Sequence, residues 1–381
     1  MTLLYLVAGE ASGDLLGGRL IAALRARRPD LGFAGIGGPR MAEQGLASLF
    51  PMEELSLMGL AEVLPKLRGL ARRMAEAEAD VLARRPAALV TIDAPSFTLR
   101  LAARMRPKGV RVIHYVAPQV WAWRQGRVRK IARRVDRLLA LLPFEPPFFE
   151  AAGIPTTFVG HPVLESGADR GDAARFRAAH GLDPATRLLA VMPGSRGGEL
   201  ARHLPIFTRA VALLRQRFGH LGPVIPTLPR LVDAVRSAPW PIPPIIVTET
   251  DDKHDAWAAA TAALAKSGTT SLELAVAGVP QVVAYRVNPI TAAIVRRLIT
   301  VPHASLVNLL AGETVVPEFL QERCTPEVLA AALAPLLSES EAAAAQRAGF
   351  PRVVTQLRPP GGLAPSEAAA DAVLSELAVQ R

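Results

Sequence analysis

Three clusters of residues in this chain have types and spacing that can do chemistry. The first is Lys266-Ser267-Gly268-Thr269-Thr270-Ser271-Leu272-Glu273, which directly follows the apolar run 262–265. It predicts a strand that stops at a glycine turn and opens a helix whose first turn carries hydroxyls and unpaired backbone N–H groups. A helix start bears roughly half a positive charge and several free donors, so a diphosphate can bind there without a metal ion. Glu273 lies further along, placed to accept from a neighbouring hydroxyl pair such as a ribose. The same spacing also describes an ordinary Ser/Thr helix cap with a capping-box acid.

The second cluster is Pro193-Gly194-Ser195-Arg196-Gly197-Gly198-Glu199, the exit of a predicted strand at 188–192. Gly194 and Gly197 leave backbone N–H groups accessible, and the Arg196 guanidinium is a planar fork suited to phosphate oxygens. One such turn says little; two, leaving neighbouring strands, can grip a diphosphate from both sides. The third cluster is Asp93-Ala94-Pro95-Ser96 at the carboxyl end of an apolar strand at 87–92. A carboxylate there points into the crevice where doubly wound sheets bind ligands. The first strand, 2–7, ends similarly in Gly9-Glu10-Ala11-Ser12-Gly13-Asp14, with Ser12 able to cap the next helix. Its glycine spacing matches neither the dinucleotide fingerprint nor a Walker A loop.

The elements that must position these clusters alternate strand and helix. Further strands are expected at 32–36, 111–116, 138–142 and 156–159, then at 245–248 and 281–284. Helices are expected at 60–84, 289–298, 325–337 and 364–378, and from the 193–199 loop to about residue 218. Such alternation makes a mostly parallel sheet covered on both faces. At 381 residues the chain predicts two α/β halves, with the polar stretch 165–172 as linker. The proline-rich stretch 222–244 is expected to hold further strands and a helix, interrupted by its prolines.

Lys plus Arg number 44 against 34 acids, a net charge of +10 that favours anionic partners. The single cysteine, Cys324, excludes an intrachain disulfide. No apolar run approaches the roughly 18 residues of a membrane span. The seven His are scattered without ligand spacing, so neither a metal nor a cofactor is expected. Asp251, Asp252 and Asp255 read as helix-capping acids, and His114 as a core residue. His161, beside Pro162 at a strand end, is a second candidate site residue.

Trp121 and Trp123, followed by an Arg-rich helix, fit three descriptions: aromatics packed on the sheet, a nucleic-acid surface, or an interfacial face for an anionic bilayer. A second apolar-plus-basic helix, with Met58, Leu60, Val63, Leu64 and Leu67 beside Lys66 and Arg68, favours membrane or lipid over nucleic acid.

Along nearly its whole length the chain resembles the lipid-A-disaccharide synthase family. The matching runs are Val7-Ala8-Gly9-Glu10-Ala11-Ser12-Gly13-Asp14, Gly38-Pro39-Arg40-Met41, Met58-Gly59, Ile92-Asp93-Ala94-Pro95, Leu142-Pro143-Phe144-Glu145 and Val159-Gly160-His161-Pro162. The most specific is His114-Tyr115-Val116-Ala117-Pro118-Gln119-Val120-Trp121-Ala122-Trp123-Arg124. Met192-Pro193-Gly194-Ser195-Arg196, Ser267-Gly268-Thr269, Tyr285-Arg286 and Asn308-Leu309-Leu310-Ala311-Gly312 follow in the second half.

The resemblance implies an α/β fold of GT-B type, two Rossmann-like doubly wound parallel-sheet domains facing across a cleft. Residues 1–165 would form the acceptor side, residues 166–350 the UDP-sugar donor side, and a final helix, 363–381, would pack back on the first. It implies inverting, metal-independent transfer of diacylglucosamine from its UDP donor to diacylglucosamine 1-phosphate. The setting would be peripheral, on the cytoplasmic face of the inner membrane and in contact with its anionic lipid. By matching position, Arg196, Ser267, Gly268, Thr269, Glu273, Arg286 and Asn308 would hold UDP, with Gly194 and Ser195 in the same loop as Arg196. Ser12, Asp14 and the loop after Asp93 would face the acceptor. Asp93 matches the family's candidate base, with Glu10, Asp14 and His161 as other groups that can line the same place. A homodimer is compatible with the sequence, and nucleic acid is not an expected partner. Lys266 departs from the family pattern, where a small residue is expected. Alternatives are another GT-B activity on UDP-sugars, such as a lipid-acceptor glucosaminyltransferase or an epimerase, or a basic nucleic-acid-binding module.

Overall fold

A computed structural model of the chain describes residues 2–55, 63–338 and 340–378. Met58, Leu60 and the side chains at 63–67, part of the second basic face expected from sequence, lie outside that description. Among the described residues no single helix is long and apolar enough to cross a membrane.

The chain folds into two compact units, Met1–Pro162 with Leu357–Arg381, and Val163–Gln356. The division falls at Pro162 and Val163, ahead of the expected linker. Residues 165–172 belong to the second unit because they are tied down there: the Asp172 N–H donates to Asp255 Oδ1 at 2.7 Å, and Gly171 lies against the backbone of His254 so closely that a Cβ would come 2.0 Å from its carbonyl oxygen.

In the first unit six strands are described: β1 (Leu3–Ala8), β2 (Gly32–Ile36), β3 (Ala88–Ile92), β4 (Val112–Tyr115), β5 (Arg137–Ala140) and β6 (Thr156–Phe158). They pair in parallel in the order β2-β1-β3-β4-β5-β6. Leu4, Tyr5, Leu6 and Val7 are all fully buried, because the sheet is covered on both faces. The helix Pro365–Ala378 returns to this unit and sets Ala369, Ala370 and Val373 into its core. Glu376 on that helix pairs with Arg111 and Arg137, and Asp371 with Arg27, which fixes its register.

The second unit repeats the theme with β7 (Arg187–Met192), β8 (Leu221–Pro226), β9 (Ile245–Val247), β10 (Ala262–Lys266), β11 (Gln281–Tyr285) and β12 (Glu318–Leu320), in the order β12-β11-β10-β7-β8-β9, again all parallel. β8 carries Pro223 and Pro226 inside the sheet, where a proline normally costs a ladder bond. The Thr227 N–H donates to Val247 O, so alternate residues back along the strand, Pro223 included, turn their nitrogens towards β9. β9 starts only at Ile245, opposite Val224, so no β9 carbonyl waits for Pro223. Pro226 falls beyond the last β7 pairing, Ala190 with Val224.

In each sheet the strand order reverses at one place. That place is between β1 and β3 in the first and between β7 and β10 in the second. Carboxyl ends of strands at such a switch point diverge and leave a crevice.

Candidate functional site

At the second unit's switch point the two expected strand exits meet. β7 ends in Pro193 and Gly194, and the helix Gly197–Phe218 starts after Arg196. Gly194 has φ +134°, and a Cβ there would lie 2.5 Å from Glu199 Oε2. Only glycine fits, because Glu199 folds back to accept the Ser195 N–H at 3.0 Å. The other carboxylate oxygen of Glu199 lies 3.0 Å from Lys266 Nζ, at the end of β10. Burial opposes charge on Glu199, but Lys266 and the Ser195 amide outweigh it and hold the carboxyl below its usual range.

β10 continues through Ser267 and Gly268 into the helix Thr270–Val276. Ser267 donates to Ala304 O at 2.8 Å and pins the 303–305 loop. Thr269 makes no side-chain cap, and the Thr269 and Thr270 amides have no acceptor among the described residues. Both exits open on a cavity of ≈ 300 Å³ lined by Gly194, Ser195, Lys266, Gly268, Thr269 and Glu273. Its far wall is Thr227, Leu228, Val247, Glu249, Lys253 and Trp257. Buried Trp257 Nε1 and Thr227 Oγ1 have no partner among the described residues.

Glu273 Oε1 is 3.5 Å from Lys253 Nζ, and that ammonium sits 4.7 Å from the Trp257 ring centroid. Burial raises the Glu273 pKa; Lys253 works against the rise. Arg196 is exposed at the start of its helix, and Arg286 is exposed after β11. His203, fully buried, links their two loops: the Arg286 N–H donates to Nε2 at 3.0 Å, so Nδ1 carries the proton it donates to Pro193 O at 2.7 Å. Burial lowers the His203 pKa and keeps the imidazole neutral, as both bonds require.

Asn308 does not reach that cavity. It is fully buried; its Nδ2 donates to Val316 O and Glu318 Oε1, and its Oδ1 accepts the Val315 and Val316 N–H groups. Its amide is saturated inside the protein. Glu318 in turn accepts the Ala304 and Ser305 N–H groups, so Asn308 and Glu318 together brace the loop on which Ser267 rests.

At the first unit's switch point, Ser12 Oγ donates to Asp93 Oδ2 at 3.3 Å. Asp93 and Ala94 both have left-handed backbone, φ +47° and +44°. Consecutive non-glycine residues in that region store strain, which the Asp93 N–H to Tyr115 O bond and the Thr98 hydroxyl on Asp93 O hold in place. Glu10 is exposed at the N-cap of the helix Ala11–Arg27 and makes no capping bond. Asp14 turns away from this place. It is buried, and its carboxylate accepts the Gly38, Arg40 and Met41 N–H groups at 2.7, 2.9 and 3.1 Å, so it anchors the helix Pro39–Glu43.

His161 is buried after β6, its N–H donates to Leu357 O, and burial lowers its pKa to about 4. His114 is buried in β4 against Thr91, also pushed down to about 4. Trp121 is buried, with its Nε1–H on Glu145 Oε1 at 3.0 Å, whereas Trp123 is 37% exposed with the Arg124 guanidinium over its ring at 4.1 Å. Lys253, Trp257, His203 and Glu318 were not among the residues expected at the site; the one signal for Lys253 and Trp257 was their four-residue spacing, which stacks them on one helix face.

A family model described as Lipid-A-disaccharide synthetase matches residues 4–371. A protein of Rhodospirillum centenum named lipid-A-disaccharide synthase is 53% identical over 378 residues, 98% of this chain and 94% of its own length. One of Gluconobacter oxydans with the same name is 51% identical over 376 residues, 98% of this chain and 90% of its own. Among solved structures, S. aureus MnaA with UDP covers 100% of this chain and 98% of its own at TM-score 0.68; at 12% identity the likeness is one of fold. With two parallel α/β units of GT-B type and a family match that runs nearly end to end, the chain belongs to the lipid-A-disaccharide synthase family of glycosyltransferases.

Proposed function

We propose that the second unit holds the UDP of a diacylglucosamine donor and that Asp93 on the first unit is the base that activates the acceptor, diacylglucosamine 1-phosphate. The observation that carries this reading is the meeting of two strand exits around one cavity, with Gly194, Ser195, Gly268, Thr269 and Glu273 on its wall. The open amides of Thr269 and Thr270 face the diphosphate, Arg196 supplies the guanidinium, and Glu273 takes the ribose. Positive charge on that side stabilises UDP as it leaves. Arg286 contributes a second cation from its His203-held loop, and Asn308 acts at one remove by bracing the loop under Ser267. Asp93 removes the acceptor hydroxyl proton as the new glycosidic bond forms, with inversion, and Ser12 orients the carboxylate.

Both substrates carry acyl chains, so the protein works at a lipid surface. Exposed Trp123 with Arg124 over its ring is a side-chain pair suited to an anionic headgroup layer, apolar at its body and charged at its tip. The test is product analysis. Labelled UDP-diacylglucosamine with diacylglucosamine 1-phosphate is expected to yield the disaccharide and UDP, and UDP-N-acetylglucosamine neither a transfer product nor an epimer. An epimer, or no disaccharide, would overturn the reading.

A further inference from the structure

Glu273 faces the cavity with one carboxylate oxygen 3.5 Å from Lys253 Nζ and the other without a partner among the described residues. Lys253 is not free to wander. It projects from the helix Thr250–Ala259, and its ammonium rests 4.7 Å from the centroid of the Trp257 ring, one turn further along and 1% exposed. A cation over a buried aromatic face is held by the ring quadrupole as well as by the carboxylate.

We propose that Lys253 is a positioning residue for nucleotide selection: it keeps Glu273 as an ionised, half-engaged carboxylate whose open oxygen accepts the ribose hydroxyl pair. The inference rests on the reading that the second unit holds UDP. A protonated Glu273 would have one acceptor oxygen fewer and would offer a donor where the ribose itself needs to donate. Glu273 is a group for which that danger exists, since burial favours its neutral form and Lys253 is the cation that opposes it. The remaining charged groups on the cavity wall are Lys266, already committed to Glu199, and Glu249. The neighbouring helices turn Asn308 and Gln346 inward and keep Glu341, Arg347 and Arg352 in solvent, so they bring no second cation to Glu273. The long 3.5 Å contact suits the task, because a tight ion pair would occupy the oxygens that the ribose needs.

The experiment measures the full chain's dissociation constants for UDP and for 2′-deoxy-UDP between pH 6 and 8, and reads their ratio, from which titration of the diphosphate cancels. Hydrogen bonds to a charged acceptor set the expected wild-type ratio at roughly 10- to 100-fold, level across the range. For Lys253→Met the ratio is expected to fall below the wild-type value, most at the acid end of the range, since without that cation burial favours the neutral carboxyl. Lys253→Arg keeps the charge and should keep the ratio. Glu273→Gln should lower the ratio at every pH, and adding Lys253→Met to it should change nothing further. A Lys253→Met ratio equal to wild type throughout would overturn the proposal, as would weaker binding of both nucleotides to the same degree, which would put Lys253 on the phosphates. Wild-type protein that bound neither nucleotide would instead overturn the donor-unit reading on which the proposal stands.

Discussion

Lys266 Nζ lies 3.0 Å from Glu199 Oε1, and this ion pair latches the end of β10 to the helix that follows β7. Glu199 is 8% exposed in its side chain and also holds the Ser195 amide, so its removal leaves a half-buried cation and an amide without their acceptor. Glu199→Gln is expected to destabilise the second unit by about 1–3 kcal/mol at pH 7. The sign with pH follows from the depressed carboxyl: the stabilisation is present above the unfolded value near ~4.3 and disappears as pH falls through the lower folded value. Urea denaturation of wild type and variant at pH 7 and pH 3 checks this. A gap that persists unchanged at pH 3 would show that the ionised latch is not its source.

Gly9 and Ala94, at the exits of β1 and β3, touch so closely that a Cβ on Gly9 would lie 2.7 Å from the Ala94 Cβ. Gly9→Ala is therefore expected to cost about 1–3 kcal/mol by overpacking. Ala94→Gly removes the clashing atom at a residue whose φ of +44° already suits glycine, and the next neighbour, Leu55 Cβ, is 3.9 Å away. The double variant should recover most of the loss. Thermal unfolding of the three variants measures it; additive losses would mean that the clash lies elsewhere.

The strands were legible because parallel strands buried on both faces read as continuous apolar runs, cut off by glycine or proline turns, as in Leu188, Leu189, Ala190 and Val191 before Pro193 and Gly194. β12, three half-buried residues at a sheet edge, and the alanine-rich helix Glu341–Gln356 carry no such signature and were not read. Gly194, Ser195, Gly268, Thr269 and Glu273 were legible as a group because each exit is local in the chain. Lys253, His203 and Glu318 meet Glu273, Arg286 and Asn308 across 20, 83 and 10 residues of chain, and sequence spacing holds no trace of those pairings. Asp14 and Asn308 show the converse. Their residue types suit a ligand, but their polar atoms are taken inside the protein, by backbone groups and, for Asn308, by Glu318 as well, a use that only the folded chain reveals.

Among the described residues Asp93 has one side-chain partner, Ser12, and a backbone geometry that few residues would adopt unforced. Removing the carboxylate removes the proposed base and leaves the second unit intact. Asp93→Asn is expected to lower turnover by about 10²- to 10⁴-fold with UDP affinity unchanged. Ser12→Ala should give a smaller loss, since it only lets the carboxylate swing. Steady-state kinetics with both lipid substrates, beside UDP titration, decide it. Near-normal turnover in Asp93→Asn would take Asp93 out of the reaction.

Glu145 is 2% exposed, and its carboxylate receives the Trp121 indole N–H together with the Leu141 and Leu142 amides, all at 3.0 Å. Burial pushes its pKa up to about 7, and the three donors only partly pull it back. Between the unfolded value near ~4.3 and the folded value the native state binds the extra proton. Stability therefore falls as pH rises through that window, by at most about 1.4 kcal/mol per pH unit from this group, and levels off above it. Glu145→Gln should lack this slope. Trp121 gives a second readout, because its N–H changes from a neutral to a charged acceptor as Glu145 ionises; its fluorescence is expected to titrate near pH 7 in wild type and to stay level in Glu145→Gln. A wild-type titration that survives in the variant would assign the transition to another group.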